Sequence, residues 1–124
     1  MKILLTGSEG YIGKQMVQVL VVAGYEVTGL DTGYYNDGWL YGKSLKLESF
    51  IKKDIREVTK DDVRGYDAVI HLAELSNDPL GQNNPELTFE INHKGTINII
   101  DQCIGAGVPR FIYSSSCSVY GASD

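Results

Sequence analysis

Apolar and polar positions change period several times along the chain, and each change marks an element. Lys2 to Thr6 (KILLT) is a short apolar run of strand length, broken at Gly7. In QMVQVLVVAGY the spacing changes. Met16, Val17, Val19, Leu20 and Ala23 recur as on a helix, and Gly24 supplies the residue type that closes one in the left-handed conformation. Glu26 to Leu30 (EVTGL) is a second strand ending at Asp31, and Ser49 to Lys52 a third, ending at Asp54. TKDDVRGY has room for a short helix at most. Asp67 to Leu72 (DAVIHL) is apolar without alternation, the pattern of a strand covered on both faces. Asn84-Pro85-Glu86 then opens a helix with a cap, a proline at its first turn and an acid. That helix runs through Leu87, Ile91, Ile99, Ile100 and Cys103 to about Ala106, with Gly107 as its stop. At roughly 20 residues it is about 30 Å long, the depth of a sheet layer. Arg110 to Ser114 is the fifth strand, and its apolar FIY runs into Ser114, Ser115 and Ser116. Residues 32–48 are rich in glycine and aromatics with no period, a long loop of the kind that is usually functional or mobile.

Strand, helix and strand thus alternate, and the strands are nearly unbroken apolar runs. This predicts an α/β fold whose parallel sheet is covered on both faces. Right-handed crossovers and short connections give an open, doubly wound sheet of strand order 3-2-1-4-5. The chain has 124 residues, 43% hydrophobic and 22% charged, which suits one domain with its own core and argues against disorder. Its net charge of −5 gives no electrostatic footprint for nucleic acid or an anionic membrane surface. An anionic ligand must then be held by local backbone dipoles. No apolar stretch is long enough to span a bilayer, and Gly7 and Glu9 interrupt the amino-terminal run before it reaches signal length. Two cysteines, Cys103 and Cys117, make no disulfide framework, so a reducing cytoplasm is expected.

The junction of the first strand and first helix carries the chemistry. TGSEGYIG places Gly7, Gly10 and Gly13 there. Glycine at Gly7 permits a tight turn, at Gly10 it lets a diphosphate approach the backbone, and at Gly13 it lets helix and strand lie close. Amides of the first helical turn, near Tyr11 and Ile12, then face the phosphates with the positive end of the helix dipole. Asp31 ends the second strand 21 residues after Gly10, the spacing of an acid that grips an adenosine ribose. Opposite a 2′-phosphate at about 4 Å, a carboxylate costs about 4 kcal/mol per charge pair at a surface-like dielectric. That is about a thousandfold in affinity. No arginine follows in DTGYYN to compensate, so NAD is the expected cofactor over NADP. Asp31 as a plain strand-end turn residue is the competing reading.

TGSEGYIG, KDIRE, HLAELSNDP, INHKGTINII and YSSSCSVYG occur in the order typical of extended short-chain dehydrogenases/reductases. The chain resembles, more narrowly, the NAD-dependent epimerase/dehydratase group that acts on nucleotide sugars. The resemblance covers essentially all of the chain, whereas the family's full chains run to two or three times this length. It implies a Rossmann-type NAD-binding domain over residues 1–124, incomplete relative to the family, with the remaining strands and the substrate domain absent. It implies that Asp54 and Ile55 flank the adenine and that Leu72 and Ala73 line the dinucleotide. Asn92 would face the cofactor side, and Ser116 would be the catalytic hydroxyl. Glu74 is a departure, since the family usually has a small residue there and a carboxylate near a diphosphate is unfavourable unless it turns outward.

Plainer roles remain open for several of these residues. Asp54-Ile55 also suits the close of a strand. His71 is expected as a satisfied buried histidine, His93 as an exposed helical residue and Cys117 as a small packing residue. No His/Cys/Asp spacing suggests a metal site. Trp39, Tyr34, Tyr35 and Tyr41 suit either a wall over the adenosine or a loop anchor.

Ligands of open parallel sheets bind beyond the carboxyl ends of the strands, which is where Ser114 to Ser116 lie. The family resemblance assigns Ser116 a hydrogen bond to the sugar oxygen while hydride leaves its carbon, beside a Tyr-x-x-x-Lys pair that supplies the base. No tyrosine of this sequence has lysine four places on. The chain as given is therefore expected to bind NAD without its general base. The dehydratase branch carries Thr-Asp-Glu before Val-Tyr-Gly. Here those positions are Ser116, Cys117 and Ser118, which favours reversible oxidation at a sugar carbon, as in a 4-epimerase, over loss of water. A non-catalytic NAD-sensing module and a reductase of a non-sugar carbonyl are the alternatives. A fifth strand at a bare sheet edge invites pairing, so a homo-oligomer is a further expectation.

Overall fold

A computed structural model of the chain describes residues 1–35, 47, 49–76 and 78–121. The 32–48 loop reading falls largely outside these residues, and Trp39 and Tyr41 with it. Five strands form one parallel sheet: β1 (Lys2–Thr6), β2 (Glu26–Asp31), β3 (Ser49–Lys52), β4 (Ala68–His71) and β5 (Phe111–Tyr113). Their order is β3-β2-β1-β4-β5, as the alternation predicts. Leu5 pairs with Gly29 on one side and Ile70 on the other, so β1 is central.

Burial of β1 on both faces explains why KILLT does not alternate. Ile3 and Leu5 join Val17, Leu20, Val27, Ala68 and Ile70 in one core cluster. Leu4 points the other way, to Leu30, Val63, Val69, Ile99 and Cys103. The first cluster lies under α1 (Tyr11–Val22), which buries Val17 and Leu20 and leaves Val19 and Val22 exposed. The second lies under α2 (Lys60–Val63) and α5 (Thr96–Ala106). Each large apolar side chain buried this way contributes about 1.5–3 kcal/mol.

The long carboxyl-terminal helix is more segmented than its periodicity suggests. It starts as α4 (Pro85–Phe89), capped by Asn84, whose side chain accepts from the Leu87 amide at 3.0 Å. It widens into a π turn over Glu90–Gly95 and resumes as α5, ending at Gly107 with φ 73°. Gly95 lets this rod lie against Ile55: a Cβ there would meet Ile55 Cδ1 at 2.7 Å. Asn98 fixes the contact by donating to the Ile55 and Val58 carbonyls at 2.9 and 3.1 Å. Some elements escape the periodicity argument altogether. Ile55–Glu57 is a 3-10 turn, and α3 (Asp78–Asn83) contains Pro79 and Gly81, residues that read as loop. Proline near a helix start is tolerated because its missing N–H has no intrahelical partner there. No helix among the described residues is long and apolar enough to cross a membrane.

Candidate functional site

The carboxyl ends of β1, β2, β4 and β5 open on a shared cleft. Its larger part, about 780 Å³, is lined by Gly7, Gly10, Tyr11, Ile12 and Gly13 on one side and by Ser114, Ser115 and Ser116 on the other. A smaller recess of about 100 Å³ continues past Asp31 to Asp54, Ile55, Leu72 and Ala73. Tyr35 and Glu74 border both. Tyr34 lines the recess, so the two described tyrosines of the aromatic loop do wall this space.

The three glycines differ in why they are glycine. Gly7 has φ 69°, and a Cβ on it would lie 2.8 Å from the Ala73 amide nitrogen. A Cβ on Gly13 would lie 2.0 Å from the Gly7 carbonyl oxygen. Both are demanded by the chain's own packing. Gly10 is not. It has φ −74°, and a Cβ would meet only the Gly7 oxygen, at 3.3 Å. α1 begins immediately after it, and the first-turn amides of a helix have no intrahelical acceptors.

Asp31 is already tied into this turn. Its carboxylate accepts from the Glu9 amide at 3.0 Å and the Gly33 amide at 2.8 Å, one on each oxygen. A carboxylate has about four acceptor positions, so capacity remains on the cleft side. Asp54 caps the 3-10 turn through the Arg56 amide at 2.9 Å and holds the Arg56 guanidinium at 3.0 and 2.7 Å. The guanidinium hydrogen bonds outweigh partial burial and keep the Asp54 carboxyl below its usual pKa.

Asn92 lines neither part of the cleft. Its amide accepts from the Leu75 N–H at 2.8 Å and donates to the Leu75 carbonyl at 3.0 Å. It reaches the site through Leu75, which lines the recess. Glu74 does not turn away from the cleft: it accepts the Tyr113 hydroxyl at 2.5 Å while still bordering both parts. That bond, first, and burial raise the Tyr113 pKa.

His71 is fully buried and satisfied at both nitrogens, whereas His93 is exposed. Thr6 Oγ1 lies 2.6 Å from Nδ1, and Thr96 Oγ1 lies 3.0 Å from Nε2. Thr6 Oγ1 also accepts from the Leu72 and Ala73 amides at 3.3 and 3.4 Å. Its own proton therefore goes to Nδ1, which leaves Nε2 as the protonated nitrogen donating to Thr96. Burial lowers the His71 pKa to about 4, so the ring is neutral at pH 7. The cluster unites residues 65 and 25 positions apart, which no local spacing reveals.

The model of the NAD dependent epimerase/dehydratase family matches residues 3–124. The chain belongs to that family. It is 32% identical to UDP-glucose 4-epimerase of Streptomyces lividans, over 97% of this chain but 37% of that protein. A UDP-glucose 4-epimerase of Klebsiella pneumoniae is 34% identical, over 98% of this chain and 93% of the relative. Among solved structures, the UDP-glucose-4-epimerase of Stenotrophomonas maltophila with bound NAD and formylated UDP-arabinopyranose superposes on the whole chain. The TM-score is 0.85 and the identity 28%, over 39% of that structure's chain. This chain thus spans less than half the length of several epimerases it matches. The family fold is accordingly present as a five-stranded sheet whose cleft has a glycine turn on one side and serines on the other.

Proposed function

We propose that residues 1–124 form the NAD-binding domain of an enzyme that passes hydride between a nucleotide-sugar carbon and NAD. The observation that carries this reading is the contrast among the glycines. Gly7 and Gly13 serve the fold, while Gly10 leaves room on the cleft side where a side chain would nearly fit. A diphosphate against Gly10 would receive the Tyr11 and Ile12 amides and the helix dipole. Asp31 would then grip the ribose hydroxyls, Asp54 and Ile55 would flank the adenine, and Leu72 and Ala73 would line its path. Asn92 would act at one remove, by holding Leu75.

At the other end Ser114 would border the nicotinamide, and Ser116 would hydrogen-bond the reacting sugar oxygen. NAD bound there would supply the hydride acceptor for the sugar carbon, Ser116 would hold the sugar oxygen, and the hydroxyl proton would have to pass to a base. Return of hydride to the opposite face would invert the carbon. The Tyr-x-x-x-Lys pair that would serve as base is not in these residues, so binding without turnover is the expectation for this chain alone. A missing general base costs typically 10²–10⁴ in rate. Ser116, Cys117 and Ser118 offer no carboxylate, which supports oxidation and reduction over dehydration. We also propose a cytoplasmic setting, supported by a cysteine content too low for a disulfide framework.

Calorimetric titration tests the reading. NAD should bind, with NADP weaker by up to about a thousandfold. Gly10→Ala should lower NAD affinity at least about tenfold, with the thermal midpoint kept within a few degrees. Equal affinities for the two cofactors remove Asp31 from its role, and full NAD affinity in Gly10→Ala sinks the diphosphate assignment.

A further inference from the structure

The recess beside Asp31 has two cations rooted next to it, and both are held by acids. Lys53 lines the recess, and its backbone amide donates to the Asp31 carbonyl at 3.1 Å. Its ammonium, however, is drawn to Asp62 at 2.6 Å, with the two side chains only 27% and 18% exposed. Asp62 is itself fixed at the start of α2, where the same oxygen accepts the Thr59 amide and the Thr59 hydroxyl, each at 2.7 Å. Arg56 follows two residues after the recess-lining Asp54 and is clamped by it through two side-chain hydrogen bonds.

A planar fork on a carboxylate and a short ammonium–carboxylate contact are the stronger kinds of polar pairing. Neither cation is then available to an incoming anion without losing its partner. This bears on cofactor choice, because an NADP 2′-phosphate would enter beside Asp31 and would need compensating charge within a few ångströms. Lys53 is rooted on the recess lining and Arg56 two residues beyond the lining residue Asp54, and both charged groups are directed to carboxylates.

We infer that preference for NAD over NADP is set by three carboxylates: Asp31 facing the ribose, and Asp62 and Asp54 holding Lys53 and Arg56 away from the 2′ position. The inference rests on the NAD-binding reading above. It assigns Asp62 and Asp54 a part in cofactor specificity exerted through the cations they hold. For Asp62 the part is purely one of positioning, since it lies outside the recess lining. The lowered Asp62 pKa agrees: burial alone would raise it, and the Lys53 and Thr59 hydrogen bonds outweigh that effect.

The test measures NAD and NADP dissociation constants by calorimetry for the unaltered chain and for Asp62→Asn, Asp62→Asn with Lys53→Met, and Asp54→Asn. Asparagine keeps an oxygen for the Thr59 donors but removes the charge that restrains Lys53. Asp62→Asn should strengthen NADP about fivefold and leave NAD within about twofold. The gain should shrink as salt is raised. Adding Lys53→Met should abolish it, and Asp54→Asn should shift the NAD-to-NADP ratio in the same direction through Arg56. NAD binding with a ratio that none of these variants moves overturns the inference while leaving the NAD-binding reading intact. A gain that survives loss of Lys53 overturns its mechanism. Failure of the unaltered chain to bind NAD overturns both.

Discussion

At the β1–β2 side of the cleft, Leu5 and Leu30 are fully buried, the Gly7 amide donates to the Leu30 carbonyl at 2.9 Å, and Gly13 packs on the turn without room for a methyl group. At the β5 side, Ile112 is 52% and Tyr113 45% exposed, and Ser114, Ser115 and Ser116 are all exposed. Both sides contribute to one cleft, yet only the first is enclosed by its own neighbours. The glycine half of the cleft is therefore part of the folding core. The serine half is an edge feature whose geometry rests on three strand residues and a short 3-10 turn, Cys117–Tyr120.

Mutations on the two sides should separate accordingly. Gly13→Ala carries the largest expected effect, because its methyl group would lie 2.0 Å from a backbone oxygen. A loss of about 3 kcal/mol or more is expected, a large share of a small domain's stability. Urea denaturation decides it, and a midpoint equal to that of the unaltered chain refutes the packing account. Leu30→Ala should cost about 2–5 kcal/mol, since the side chain is fully enclosed.

Acid should act on the joint between the sides, where His71 links Thr6 to Thr96 and stacks on Tyr113 at 5.8 Å. The folded pKa of about 4 lies below the ordinary 6.5, so the unfolded chain takes up the proton first. The stability tied to the neutral ring is complete above pH 6.5 and lost as pH falls from there towards 4. From pH 7 to pH 5.5 the loss is about 1 kcal/mol. A thermal midpoint that holds level across that interval in the unaltered chain, but not in unrelated controls of similar charge, contradicts the assignment. Smallest of all, Ile112→Ala should cost under about 1 kcal/mol, because half of that side chain already meets water. A cost matching that of Leu30→Ala would show β5 to be as enclosed as β2, ending the contrast.

The sheet was legible in the sequence because its signals are local. Unbroken apolar runs mark doubly covered strands, and Gly24, Asn84, Pro85 and Gly107 mark helix ends by their backbone chemistry. The glycine turn and Asp31 were legible for the same reason, being tied to a strand–turn–helix junction at a fixed spacing. What escaped depends on contacts distant in sequence. Nothing near His71 announces Thr6 or Thr96, and nothing near Asn92 announces the Leu75 backbone. Lys53 and Asp62 meet only because β3 and α2 are brought together by the intervening 3-10 turn. The π turn escaped as well: it inserts one wide turn without altering the apolar residues on which a periodicity argument depends.

The unequal demands on the three glycines carry a lesson for reading genomes. A descendant that had abandoned its nucleotide would still be forbidden to replace the first and third of them, because its own backbone occupies the space. Gly10 alone could drift to alanine at little harm to folding. On the proposed diphosphate contact, a survey of similar chains should find that one letter kept where the pocket works and free to vary where only the scaffold survives.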